Sequence, residues 1–298
     1  MRILTLLARH GTDKYPGAID DIAGLFARQL PEAEWDLIIV DNTLPEGYEQ
    51  DLGPHRVLIG ASNANWEFSA WQSGTDFVGR RLADYDFVNL ATDAFRSLYT
   101  AYLDRFNMEI LRLIASRGAA VGHIDYYNEP VLLLGRQSQA WLRTSFVLLP
   151  PVELTMLGPL TSIAETQVFF SGNPEAPFRP EAPLSENYRG YLLAWLTGEG
   201  TGQGVEWHSR FMLTEENLPQ FQNKVVAILN EHMFSIRLRS QGCAMVDATW
   251  LATRNRQLRR GKPLEAIPSW RKQLTERDTD AVASSLLFSC GSRSAVTR

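Results

Sequence analysis

Apolar runs and helical stripes alternate through the first hundred residues. ILTLLA (Ile3–Ala8) is a short, nearly continuous apolar run, the pattern of a parallel strand buried on both faces. Ala18, Ile19, Ile22, Ala23, Leu25, Phe26 and Leu30 then fall on one helical stripe. WDLIIVD (Trp35–Asp41) predicts a second buried strand, stopped by the turn-rich NTLPEG, and HRVLIGA (His55–Ala61) a third. A helix comes next over Trp66–Leu82, weakened by Gly74 and Gly79, and DFVNLAT (Asp86–Thr92) is a fourth strand. Another helix is predicted over Arg96–Ser116, with Leu98, Tyr102, Phe106, Ile110, Leu113 and Ile114 as its apolar positions. This alternation predicts an α/β fold, a Rossmann-type, mostly parallel sheet flanked by helices, whose ligand sits outside the strand C-termini.

Composition narrows the class. With 298 residues, 45% hydrophobic and 21% charged, the chain is an ordinary globular one, large enough to need no disulfide staples. Cys243 and Cys290 match no metal spacing, which suits a reducing, cytoplasmic compartment. Arg9 and His10 interrupt the first apolar run, so it reads as a strand rather than a signal peptide, and no 18-residue apolar run predicts a span. His55, His123 and His208 lie far apart, a poor pattern for zinc.

Charge is uneven. The stretch from Trp250 onward carries +6 and the remainder −11. A net charge of −5 without a basic, aromatic-laced stripe in the body speaks against nucleic acid as a partner. RNRQLRRGK places Arg254, Arg256, Arg259, Arg260 and Lys262 within nine residues. Such a helical basic tail suits peripheral contact with an anionic inner leaflet, at about 1 kcal/mol per charge, or equally a solvated helix face. Trp250, Leu251, Leu258 and Trp270 either add apolar contact there or dock the tail on the body. Ser171–Asn187, with four prolines, is a long loop of the kind that serves function or lacks order.

Polar groups end three of the strands: Arg9 with His10, Asp41 with Asn42, and Asp93. In a parallel sheet these positions open onto one crevice. A strand-end acid is as readily the cap of the next helix, so the set carries more weight than any member. The first strand is followed by no GxGxxG, and neither GxxxxGK[ST] nor GxSxG occurs. Carboxylates are left to do the chemistry.

The order IIVDNT, VLIGASNANWEFSAWQSG, YDFVNLATDAF resembles the nucleotide-binding half of family 2 glycosyltransferases of the GT-A fold, including those that build rhamnan-type bacterial surface polysaccharides. The resemblance implies that Asp41 holds the nucleoside and that Asn63 or Asn65 stands at the family's first Asn. Ala70, Gln72 and Gly74 match A-x-N-x-G with Gln for Asn, and Asp93 matches the last acid of D-x-D. NEHMFSIRLRSQG (Asn230–Gly242) is similar to the family's ED-x-x-LS-x-RL…G helix. Glu231 falls at the catalytic base, and Ser235, Arg237, Leu238 and Gly242 match directly. WLRTSFVLLPPVELTMLGPL resembles the strand and helix of the acceptor side. The implied organisation is a catalytic domain over 1–250, with a nucleotide-sugar half (1–118) and an acceptor half (119–250), and then a basic extension over 251–298.

The chemistry implied by the resemblance is a metal-assisted, inverting transfer from a nucleotide-sugar donor to a glycan or lipid-linked glycan acceptor, in O-antigen or capsule synthesis. Asp93 is the expected ligand of Mg²⁺ or Mn²⁺, which typically take one or two protein carboxylates. Ala91 stands where the first D-x-D acid would be, which weakens metal binding. A general base is worth about 10²–10⁴-fold in rate, and Glu231 is the candidate; a solvated helix residue is the plainer reading. Its neighbour His232 is a backup. Arg9 and His10 reach for the diphosphate or base, or simply face solvent. Glu67 holds a hydroxyl or base edge, or is a helix-surface charge. Trp66, Phe68 and Trp71 stack a ligand or fill the core. Asp125 is a further strand-end acid without a motif. The rival readings are a sugar nucleotidyltransferase, whose Gly-rich basic loop ARHGTDKYPG does not reproduce, and a non-catalytic nucleotide-sugar-binding subunit.

Overall fold

The computed structural model describes residues 1–97, 100–115, 117–163, 165–198, 212–258 and 266–277. Leu98, Ser116, His208, Arg259, Arg260, Lys262 and Cys290 lie outside the described residues, as do the side chains of Arg256 and Leu258.

The chain runs β1 (Arg2–Arg9), α1 (Ala18–Gln29), β2 (Glu34–Asp41), β3 (Glu49–Asp51), β4 (Arg56–Gly60), α2 (Glu67–Val78) and β5 (Phe87–Thr92). It continues through α3 (Met108–Ile114), β6 (Ala119–Gly122), β7 (Ile124–Leu133), β8 (Arg136–Leu142), β9 (Phe146–Leu149) and α4 (Pro151–Leu157). After these come α5 (Glu186–Thr197), α6 (Leu218–Ser240), β10 (Ala244–Asp247), α7 (Ala248–Leu258) and α8 (Trp270–Glu276). Eight strands form one sheet in the order β10-β6-β9-β5-β1-β2-β4-β3, while β7 and β8 form a separate hairpin. The β1–β2, β1–β5, β2–β4 and β6–β10 pairs are parallel; β3 and β9 run antiparallel to their neighbours. The α/β class and mostly parallel sheet are therefore as the apolar runs predict.

Alternation along β1 supplies both faces of the core. Ile3 and Leu7 pack with Ile22, Phe26, Phe106 and Trp250 on one side. Leu4, Leu6 and Ala8 pack with Phe68, Trp71, Leu154 and Phe234 on the other. Thr5, fully buried between them in sequence, accepts from the Trp35 indole at 2.8 Å and donates to Asn89 at 3.3 Å. Gly74 explains how α2 lies so close to the sheet: a Cβ there would stand 3.1 Å from both Leu6 and Val40. A third cluster joins the hairpin to α5 and α6 through Tyr127, Trp141, Tyr188 and Phe221.

Three departures have local causes. Within the helix predicted over Arg96–Ser116, the described residues form a 3₁₀ segment (Leu103–Arg105) and then α3, which starts only after Asn107, whose side chain accepts from the Glu109 and Ile110 amides. The helix over Trp66–Leu82 ends at Val78 and tightens into a 3₁₀ turn over Gly79–Asp84. Ser171–Asn187 is no free loop: Phe170 bridges Phe178, Leu184 bridges Leu133, and Arg179 donates to the Phe170 carbonyl at 2.9 Å.

The described part of the C-terminal extension packs on the body. Trp250 and Leu251 are fully buried, and the Trp250 indole donates to Glu276 on α8 at 3.0 Å. Among the described residues, no helix is long and apolar enough to cross a membrane.

Candidate functional site

Parallel register brings the ends of β1, β2 and β5 to one edge, with Arg9 opposite Asp41 and Ala8 opposite Thr92. Asp41 is buried there, and its partners are internal. Its Oδ2 accepts from Arg9 Nε at 2.7 Å, and its Oδ1 accepts from the Gly11 amide, the Thr43 amide and the Thr43 hydroxyl at 2.7–3.0 Å. These donors hold its carboxyl below the usual range against the opposing effect of burial. Asp41 and Arg9 thus brace each other and the two loops that leave the strands. Arg9 is therefore paired with Asp41 rather than turned to solvent. The next residue, Asn42, donates to Asn63 Oδ1 and to the Trp66 carbonyl, and its own Oδ1 is buried with no partner.

The loop after β4 enters α2 through Asn65, whose amide donates to Ser69, and through Trp66, which adopts a left-handed φ of 52°. A bulky residue in that region stores strain, of order 1–3 kcal/mol. Phe68 and Trp71 belong to the core, the Trp71 indole bridging the Leu6 and Ala91 carbonyls at 3.1 Å each. Gln72 is held internally: it accepts from the Leu160 amide and donates to Asp76, so it ties α2 to the segment after α4.

Three carboxylates do converge. Asp93, after β5, accepts the His10 amide at 3.2 Å, and burial pushes its pKa up while Lys14 and His10 pull the other way. Glu67, in the first turn of α2, is raised to about 7 by burial and by the negative charges of Glu231 and Asp93. Glu231, half-buried on α6, is also raised to about 7, chiefly by burial. Its Oε1 accepts from the Thr144 amide at 2.8 Å and the Thr144 hydroxyl at 3.0 Å. Lys224, also on α6, is lowered to about 8 by burial and the like charge of Lys14. The crevice therefore carries three acids from the β5 end, α2 and α6, with lysines from the β1 loop and α6 beside them.

The rest of the α6 signature is architectural. Asn230 accepts from the Ser162 and Ile163 amides, Ser235 accepts from the Leu142 amide, and Arg237 donates to Pro159, Leu157 and Ser162. His232 is fully buried, bonded through Nδ1 to the Tyr188 hydroxyl and lowered to about 3 by burial. It is a core histidine. Sequence reasoning gave no role to Thr144 and Arg143, whose relation to Glu231 exists only across the fold, nor to Lys224, which feels the charge of Lys14 from the β1 loop.

Among the described residues, no group of three or more His, Cys, Asp or Glu could hold a metal ion. Ala91 is fully buried in β5, so the strand offers no second acid. Asp93 alone still supplies one of the one or two carboxylates that Mg²⁺ takes from protein when substrate phosphates complete its shell. Compared with models of known protein families and with curated proteins, the chain matches none.

Proposed function

We propose that this chain is a GT-A-type glycosyltransferase that moves a sugar from a nucleotide donor to a glycan or lipid-linked glycan acceptor, inverting the anomeric centre, with Glu231 as base. One observation carries the reading: Glu231, Glu67 and Asp93 come from three distant elements, and Glu67 feels the negative charge of both of the others. A base with a pKa near 7 is well matched to taking a hydroxyl proton at neutral pH.

In this mechanism the acceptor hydroxyl attacks the anomeric carbon, its proton passes to Glu231, and the bond to the diphosphate breaks on the opposite face. Thr144 fixes the carboxylate so that no reorientation is needed at the moment of attack. Asp93 would hold a divalent cation, which as a Lewis acid stabilises charge on the leaving diphosphate. Lys14 and Lys224 add positive charge to the same region. The Asp41–Arg9 pair shapes the floor on which the nucleoside rests, and the adjacent Asn42, whose Oδ1 has no partner, offers it an acceptor.

A binding subunit without turnover is the second reading, favoured by the buried Ala91 in place of an acid. A thermal-shift panel of UDP-, GDP- and dTDP-sugars, with and without Mn²⁺, tests the proposal, since ligands that bind the native state raise its melting temperature. A Mn²⁺-enhanced shift with one nucleotide class is expected in the wild type and is lost in Asp93→Ala. No shift with any donor contradicts both readings.

A further inference from the structure

We propose that Asp125 and Arg143, a buried ion pair to which the sequence reading gave no role, are positioning residues for Glu231; this rests on the reading of Glu231 as the base. Asp125 lies on β7, and Arg143 comes directly after β8. Arg143 donates through Nε at 2.9 Å and Nη2 at 2.7 Å to the same oxygen of Asp125, whose other oxygen stands 3.3 Å from His123 Nε2. The Arg143 amide also donates to the His123 carbonyl at 2.9 Å. Main chain and guanidinium are thus both anchored, and the very next residue is Thr144, which gives its N–H and O–H to Glu231 Oε1. With Oε1 taken, Oε2 is the oxygen left to receive the proton.

The network reaches further. His123 Nδ1 stands 3.9 Å from Asp247, at the end of β10, and Asp247 pairs with Arg277, just after α8, at 3.2 Å. Two acids and two guanidiniums are therefore set around one histidine, with side chains no more than 13% exposed. The charged and titratable groups that act on Glu231 or are acted on by it are Asp125 from β7, Arg143 from the β8–β9 connection and Glu67 from α2. The phenols of Tyr102, Tyr127 and Tyr188 complete the set. The charge of Asp125 opposes ionisation of Glu231 and that of Arg143 favours it. Removing one or the other must then move the base in opposite directions, which a mere loss of packing does not do.

The test is a ¹³C NMR carboxylate titration of the full chain, with Glu231→Gln assigning the resonance, so that the readout does not depend on turnover. The wild-type resonance is expected to titrate at about 7. In Asp125→Asn the midpoint is expected to fall by about one pH unit and in Arg143→Met to rise by a similar amount, the double variant returning most of the way. Equal midpoints in all variants, or single variants moving in the same direction, overturn the proposal. If the buried substitutions do not fold, Thr144→Val removes only the hydroxyl bond. A raised midpoint there, with kcat reduced and donor KM unchanged, supports the proposal, and an unmoved midpoint overturns it. Opposite shifts in an enzyme-inactive wild type would retain the grip on Glu231 while removing the transferase reading.

Discussion

Glu67, at the start of α2, and Glu231, in the middle of α6, lie close enough that the negative charge of Glu231 opposes ionisation of Glu67. Two carboxyls that feel each other's charge do not ionise independently. Replacing Glu67 by Gln removes the like charge, so Glu231 ionises more readily. The acid limb of the pH–rate profile should move to lower pH by about half a unit to one unit. A profile unchanged in position would show that the two groups do not share a site.

Glu231 also makes a stability prediction of definite sign. Its folded pKa lies near 7, above the unfolded value of 4.5, so the native state holds the proton more tightly. The cost of the buried carboxylate is absent below about pH 4.5, grows as pH rises toward 7, and is fully present above that. Glu231→Gln should therefore be more stable than wild type by about 1–2 kcal/mol at pH 8 and equal to it at pH 4, while losing activity. Urea unfolding at the two pH values reads this directly; equal midpoints at pH 8 would refute it.

Asp41 behaves in the opposite way. Its folded pKa is depressed, so the stability it contributes is present above the unfolded value of 3.8 and is lost as pH falls through the folded one. Asp41→Ala leaves Arg9 buried without its partner and strips acceptors from Gly11 and Thr43. Breaking a buried pair of this kind typically costs about 3–5 kcal/mol. Asp93→Ala, which gives up the His10 and Ala94 amide contacts but no buried charged partner, should cost far less stability while abolishing activity. A chemical-denaturation comparison separates the bracing acid from the chemical one.

Glycine substitutions check the packing. A Cβ at Gly60 would stand 2.0 Å from the Pro45 carbonyl oxygen, a backbone atom that cannot swing aside. Gly60→Ala should destabilise by about 3 kcal/mol. Gly190, exposed within α5, has nothing within 4 Å of the same atom, so Gly190→Ala should stabilise by about 0.5–1 kcal/mol through helix propensity. Thermal unfolding of the two variants gives both signs.

The buried parallel strands were legible because each is an apolar run: β1, β2, β4 and β5 fall within a residue or so of ILTLLA, WDLIIVD, HRVLIGA and DFVNLAT. The edge strand β3 was not, since EQD is fully exposed and owes its form to main-chain pairing with β4. The β7–β8 hairpin escaped notice because its turn is Leu134-Gly135, both with positive φ, where an Asn-Gly pair would have signalled it. Of the apolar stripe predicted there, Tyr102, Phe106, Ile110 and Ile114 do reach the core, but through a 3₁₀ turn and a late cap. At the site, Asp93 and Glu231 could be picked out by their place in a motif, and Glu67 by its proximity to one. Thr144 could not: its two bonds to Glu231 arise because the hairpin carries it to α6. Asp41 and Gln72 were placed in the right region but turn inward, because buried donors at Arg9, Gly11, Thr43 and Leu160 claim their oxygens.

The most direct test is release of nucleoside diphosphate from UDP-, GDP- and dTDP-sugars by purified wild-type chain, Asp93→Ala and Glu231→Gln, with Mn²⁺ present. The account predicts diphosphate release from one donor class in the wild type and a fall of about 10²-fold or more in each variant. Turnover undiminished in Glu231→Gln, or pyrophosphate as the product, would contradict it.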